Sequence, residues 1–263
     1  MRVLCLGDVV GRPGRKVLKD RLPALRNEHG IDMVIANGEN AAGGIGLTAD
    51  TLRELLRAGV DVVTSGNHIW KHKEIRPHLD ANPALLRPEN YGPKAPGKGW
   101  LVHVLPSGFR VGVLNLLGRI FMDPVDCPFA AADAALRDLA DADCVIVDFH
   151  AEATSEKRAL LHHLDGRAAA VLGTHTHVQT ADAHVTASGT ATITDLGMCG
   201  VEFDSVIGMG TDAVLKRFAT GLPHHFSPAR GEPSLNGALL EIDKMSAKAL
   251  SIRLLRDKAA ALL

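Results

Sequence analysis

Short runs of aliphatic and β-branched residues recur along the chain, and amphipathic stretches separate them. Residues 2–7 (RVLCLG), 32–36 (DMVIA), 61–66 (DVVTSG), 143–149 (DCVIVDF) and 168–173 (AAAVLG) read as strands. Apolar runs this short, bounded by turn residues, suit strands buried on both faces. Between them the period lengthens to that of a helix. Pro13 opens a helix that runs to about His29, since proline suits a first turn. Thr48 or Thr51 caps a second, which places Leu52, Leu55 and Leu56 on one face and stops at Gly59. An Ala-rich helix is expected at 129–141, a capped one at 154–165 and a short one at 212–220. Two more strand candidates, 100–105 and 110–116, follow a Pro-rich loop at about 87–99. A Gly-rich region spans 197–210, and GALLEI and ALSIRLL, split by DKMSAK, predict a C-terminal hairpin.

The early alternation of strand and helix predicts parallel strands, and the later consecutive strands predict a mixed sheet or two sheets face to face with helices outside. No repeat or linker interrupts the pattern, so residues 1–263 are expected to form a single domain.

Composition narrows the function classes. Of 263 residues, 46% are hydrophobic, and 29 Lys+Arg stand against 30 Asp+Glu for a formal net charge of −1. A disordered chain needs lower hydrophobicity and more net charge. Broad nucleic-acid binding needs a basic excess. Apolar runs fall short of the ~18 residues that a membrane span requires, and Met1-Arg2 leads into a strand ending at Asp8 without the pattern of a secretory leader. Cys5, Cys127, Cys144 and Cys199 include no CxxC pair, which predicts buried reduced thiols and a cytoplasmic protein.

The residues at the end of each apolar run are more specific. VLCLG ends in Asp8, MVIA in Asn37-Gly38-Glu39-Asn40, VVTSG in Asn67-His68, CVIVDF in His150, and AAAVLG in Thr174-His175-Thr176-His177. In open α/β sheets the ligand crevice lies beyond the carboxyl ends of the strands. Parallel strands would therefore bring these side chains to one edge. Taken singly, Asp8 reads as a helix cap, the asparagines as turn formers and each histidine as a loop residue. The joint placement points instead to a metal site. Carboxylate, imidazole and amide oxygen suit manganese, iron or zinc, and two ions about 3.5–4 Å apart need at least one bridging carboxylate. Period-2 alternation predicts that His175 and His177 lie on one side of an extended segment. The other histidines lack such placement. Gly7, Gly11 and Gly14 fit neither a P-loop nor a G-x-G-x-x-G turn, which leaves a tight strand-to-helix turn.

These residues also carry a resemblance. Gly7-Asp8, Gly38-Glu39-Asn40, Gly66-Asn67-His68, His150 and Gly173-Thr174-His175-Thr176-His177 are similar to the motif series of calcineurin-like metallophosphoesterases. GDVVGRPGR, NGENAAGGIGLT, GNHIW, DFHAEATSEK and GTHTHVQTAD resemble the bacterial YmdB-like cyclic-nucleotide phosphodiesterases, over residues 1 to about 255. Val10 stands where the wider superfamily has a histidine, and Glu39 where it has an aspartate; the YmdB-like branch is similar in both respects.

The resemblance implies a four-layer α/β/β/α sandwich. It implies two divalent or mixed-valence ions, iron foremost with manganese and zinc as alternatives. One would be held by Asp8, Glu39, Asn40 and His177, the other by Glu39, Asn67, His150 and His175. His68 would stay free of metal as general acid while a bridging hydroxide opens a cyclic nucleotide, 2′,3′-cyclic before 3′,5′-cyclic. Other readings stay open: a phosphomonoesterase or nucleotidase on the same scaffold, or a metal-stabilised regulatory partner in RNA turnover. An amidohydrolase is disfavoured, because its His-x-His belongs to the first strand of a barrel whose eight βα units are not apparent here. Assembly into a homo-oligomer is left undetermined.

Overall fold

A computed structural model of the chain describes residues 1–258; residues 259–263 of the expected domain lie outside the described residues. The first third alternates strand and helix: β1 (Arg2–Val9), α1 (Gly11–His29), β2 (Met33–Asn37), α2 (Ala49–Ala58) and β3 (Val62–Thr64). A 3-10 turn at Asn67–Trp70 and α3 (Arg76–Ala81) lead to β4 (Trp100–Val104) and β5 (Arg110–Leu117). Next come α4 (Pro128–Asp138), β6 (Cys144–His150), α5 (Thr154–Leu164) and β7 (Ala170–Thr174). The chain then runs through β8 (His184–Val185), β9 (Ala191–Ile193), β10 (Met198–Val201) and α6 (Thr211–Thr220). It ends in the hairpin of β11 (Pro233–Ile242) and β12 (Ala249–Lys258).

These strands form two six-stranded mixed sheets, ordered β12-β11-β10-β1-β2-β3 and β4-β5-β6-β7-β9-β8. In the first, β10, β1, β2 and β3 run parallel, and β11 pairs antiparallel with β1, β10 and β12. In the second, β5, β6, β7 and β9 run parallel between antiparallel edges β4 and β8.

Side-chain alternation decides the layering. On β1, Leu4 and Leu6 join a core shared with Val17, Leu18 and Leu22 of α1 and Leu52 and Leu55 of α2. Val3 and Cys5 point the other way, into a core between the sheets that also holds Met33, Ile35, Val113, Ile146 and Leu172. Val145, Val147 and Phe149 of β6 pack outward under Ala132 and Ala135 of α4 and Leu160 and Leu161 of α5. Two sheets face to face, each covered by helices, give the expected α/β/β/α sandwich. Strands buried on both faces explain the near-continuous apolar runs.

Thr48 is the cap of α2: its side chain accepts the Thr51 N–H, Thr51 caps reciprocally, and Gly59 ends the helix in the left-handed region. Several expectations are corrected. Asp8 caps nothing, since Val10 precedes α1 without a side-chain cap bond. Helix α1 begins at Gly11 rather than Pro13. The Gly-rich 197–210 region contains strand β10, which includes Gly200. Cys127 is half-buried, while Cys5, Cys144 and Cys199 are buried.

One close approach near the sheet edge is backbone on backbone. A Cβ at Gly7 would run into the Gly197 carbonyl, and that carbonyl accepts the Asp8 N–H at 3.1 Å. Overpacking here has only main chain to push against. Gly7→Ala is expected to cost about 3 kcal/mol or more of unfolding free energy, read as a lowered urea midpoint. A midpoint within error of the native chain would show that the β1–Gly197 contact yields freely.

Candidate metal centre

The parallel strands converge as the alternation predicts. Asp8, next to last in β1, pairs with Asn37, the last residue of β2, and with Met198 of β10. Glu39 and Asn40 follow β2, and Asn67 and His68 sit in the 3-10 turn after β3. His150 ends β6 and pairs with Thr174 of β7, directly before His175. Asp8, Glu39, Asn40, His150 and His177 are all buried.

Two groupings result. Glu39, His150 and His175 each offer one ligand atom, all within 4.8 Å of one another. His150 Nε2 lies 3.1 Å from Glu39 Oε1 and 3.0 Å from His175 Nδ1. On the other side of Glu39, the Asn40 amide Nδ2 is 3.1 Å from His177 Nε2, 3.4 Å from Asp8 Oδ1 and 3.3 Å from Glu39 Oε1. Asp8 Oδ1 is 3.7 Å from His177 Nε2, and Asp8 Oδ2 accepts the His175 N–H at 3.1 Å. Glu39 thus stands between the groups. Asn67 Oδ1 is buried and has no hydrogen-bond partner among the described residues.

The extended His175-x-His177 segment is a further correction. β7 stops at Thr174, and His175 (φ 108) and His177 (φ 65) both have left-handed backbones. Left-handed φ is uncommon for non-glycine residues. The two imidazoles face different groups because the chain coils.

Each imidazole is tied down on its outer nitrogen. The Thr174 hydroxyl donates to Asp148 Oδ1 at 2.7 Å, so it accepts from His150 Nδ1 at 3.0 Å. His177 Nδ1 donates to the Ile207 carbonyl at 2.9 Å. His175 Nε2 lies 3.1 Å from Glu152 Oε2. These bonds leave His150 Nε2, His175 Nδ1 and His177 Nε2 as the inward-facing ring nitrogens. Metal-ligating histidines are oriented in the same way, by an acceptor on the ring nitrogen that faces away from the ion.

The electrostatics call for a cation. Asp8 and Glu39 are fully buried, and among the described residues their only ion-pair partners are histidines. Burial alone would raise the Glu39 carboxyl, but the charges and hydrogen bonds of His150 and His68 hold it well below the usual range. Burial likewise opposes ionisation of Asp8, and His177 and His150 reverse it. His150 is the counterpart: burial disfavours its cation, yet Glu39, Asp8 and Asp148 lift it to about 9. His175, desolvated beside His150, falls to about 3. Asp148 is pushed up to about 6, chiefly by burial. The buried carboxylates therefore draw positive charge toward the centre.

His68 differs from the rest. Its side chain keeps 33% exposure, with Nδ1 2.9 Å from Asn40 Oδ1 and 3.1 Å from Glu39 Oε1. No hydrogen bond among the described residues involves its Nε2.

Sequence reading missed the supporting groups. Asp148, a carboxylate inside the apolar run CVIVDF, was a visible signal, and so was Glu152 two residues after His150. The Ile207 carbonyl carries no side-chain signature.

The family model described as YmdB-like protein matches residues 4–255. The chain is 46% identical over 253 residues to a 2′,3′-cyclic-nucleotide 2′-phosphodiesterase of Bacillus subtilis (strain 168), covering 96% of this chain and 95% of that one. A crystal structure of a phosphatase from Mycoplasma pneumoniae superposes with a TM-score of 0.93 at 36% identity, over 98% of this chain and 93% of the other. A calcineurin-like phosphoesterase from Bacillus subtilis superposes with a TM-score of 0.60 at 11% identity, over 99% and 91%, and shares the fold.

Gly66 packs directly against two candidate ligands. A Cβ there would overlap the His150 ring and come within 2.5 Å of Glu39 Oε2. Gly66→Ala is expected to lower divalent-cation affinity about 10–100-fold, as loss of ligand orientation does. Titration of metal-free protein with Mn²⁺ checks this; native affinity in the variant would show that His150 and Glu39 tolerate displacement.

Proposed function

The chain belongs to the YmdB-like protein family, and from that premise we propose that it is a hydrolase of phosphate esters whose substrate is a cyclic nucleotide, 2′,3′-cyclic nucleoside monophosphates foremost. One observation carries the reading: three imidazoles, each held by its outer nitrogen, turn the other nitrogen toward a space bordered by two buried carboxylates. That donor set fits a pair of divalent cations such as iron, manganese or zinc. The orphaned Asn67 oxygen fits as well. Asp8, Glu39, Asn40 and His177 would hold one cation, and Glu39, Asn67, His150 and His175 the other, with Glu39 common to both. The Asn40 amide now turns its nitrogen toward Asp8 and His177. Ligation through its oxygen requires the amide to turn over, an exchange of nearly isosteric ends.

When bound, two such cations supply a water nucleophile activated at neutral pH and neutralise charge on the phosphoryl oxygens. The protein does the remainder. Burial of Asp8 and Glu39 excludes bulk water from both carboxylates and strengthens each electrostatic contact. The Thr174 hydroxyl and Asp148 fix the His150 ring in place. His68, whose Nδ1 is held against Asn40 and Glu39, presents Nε2 and its proton to the departing ribose oxygen. No covalent adduct with the chain is required, and the product is a nucleoside monophosphate.

Phosphomonoester hydrolysis at the same site is the second reading, favoured by the phosphatase description of the Mycoplasma relative. Turnover of 2′,3′-cyclic AMP beside a nucleoside monophosphate, by Mn²⁺-loaded protein, separates the two: cleavage of the monoester alone would overturn the cyclic-nucleotide assignment. His68→Ala is expected to lower turnover about 10²–10⁴-fold with metal content retained by elemental analysis. Loss of metal in parallel would remove His68 from the acid role. Glu39→Ala is expected to lose both metal equivalents and activity together; two bound equivalents in that variant would count against a shared carboxylate.

A further inference from the structure

We propose that the buried ion pair between Lys157 and Asp195 is the positioning device that holds the His175–His177 coil and the end of β1 in the geometry needed to bind cations. This rests on the reading of the centre as a metal site. Neither residue is among the candidate ligands. Lys157 sits in the first turn of α5 and Asp195 follows β9, yet Lys157 Nζ lies 2.8 Å from Asp195 Oδ2 with side-chain exposures of 3% and 0%.

The Asp195 carboxylate has further partners, and these give the pair its role. Oδ2 accepts the N–H of Thr176 at 3.0 Å, the residue between the two left-handed histidines. Oδ1 accepts the N–H of Gly197 at 2.9 Å. The Gly197 carbonyl in turn accepts the N–H of Asp8. One carboxylate therefore ties a ligand loop of the second sheet to the ligand-bearing end of β1 in the first. Thr180 reinforces the node, its hydroxyl accepting the Asp195 N–H at 3.0 Å.

Energetics favour a positioning role over a merely stabilising one. Left-handed φ at a non-glycine residue costs on the order of 1–3 kcal/mol and persists only where surroundings impose it. Two such residues flank Thr176. A buried ion pair by itself adds little net stability and is often replaceable by apolar residues. The bonds to Thr176 and Gly197 are what an apolar replacement would lose. Lys157 supplies the countercharge that lets a carboxylate, with its two acceptor oxygens, occupy this spot.

Asp195→Asn keeps the shape but leaves one carbonyl oxygen where two acceptors were needed. Native and variant chains are stripped of metal and titrated with Mn²⁺ by calorimetry, and backbone amide exchange is followed in the metal-free state. The expected result is an about 10–100-fold weaker affinity for at least one equivalent, with faster exchange confined to residues 174–178 and to the amides of Gly197 and Asp8, and the rest of β1 and all of β6 unchanged. Lys157→Met combined with Asp195→Asn removes both charges and gives the same readout should the single variant fold poorly. Lys157→Arg keeps the cation and should retain native binding. Native affinity and native exchange at 174–178 in either folded variant would overturn the proposal. A native chain that binds no Mn²⁺ would instead defeat the metal reading, while the exchange measurement still decides whether Asp195 holds the coil.

Discussion

Asp8 and Glu39 carry charge where water does not reach. An isolated carboxylate moved from water into a protein interior loses several kcal/mol of solvation even after relaxation, and here two such groups meet across one seam with no lysine or arginine against either among the described residues. The architecture around them answers that demand. Parallel strands of both sheets end at the same edge, so groups distant in sequence can converge without long loops. The imidazoles of His150 and His177 are drawn toward their cationic forms by those carboxylates. A protonated imidazole is a weaker substitute for a divalent ion, having a single charge and a single direction. Under the proposed function, the same carboxylates that favour the proton would stabilise a metal.

Close packing of backbone makes the convergence possible. At Gly7 and Gly66 a side chain would displace either the neighbouring main chain or the His150 ring. These glycines sit directly before Asp8 and Asn67, so the residues that permit the approach are adjacent to those that use it. Helix α5 contributes from the far side. Lys157 reaches Asp195, and Glu156 accepts the Arg119 and Ile120 N–H groups, which fixes the turn that follows β5 next to His150. The sequence motif that contains His150 thus continues into residues that shape the loops beside it.

Much of this was readable from the chain because two simple periodicities govern it. Apolar runs that end in Asp, Asn, Glu or His marked the strand ends, and parallel order followed from the intervening helices. Where reading failed, the determinant was long-range. β8 has two residues and β9 has three, too short for any period to show. β10 contains a glycine and pairs with β1, a partner almost 190 positions away. The left-handed turns at His175 and His177 run against local preference, and what imposes them, Asp195 and Lys157, lies on other elements. The acceptor at Ile207 is a main-chain carbonyl and could have belonged to any residue.

Burial also divides the labour of the site. Groups that hold charge have no access to solvent, which fixes their orientation and keeps the local dielectric low. His68 alone among the proposed catalytic and metal-binding histidines retains a third of its side-chain exposure while its Nδ1 remains anchored to the cluster. A group that passes a proton to a departing alkoxide must be coupled to the site's charge and yet be able to exchange protons with solvent between turnovers. The turn after β3 satisfies both demands at once. Gly66 brings the backbone against His150, the His68 N–H is donated to Glu39 Oε2 at 2.9 Å, and the imidazole is thereby set between the buried carboxylates and solvent.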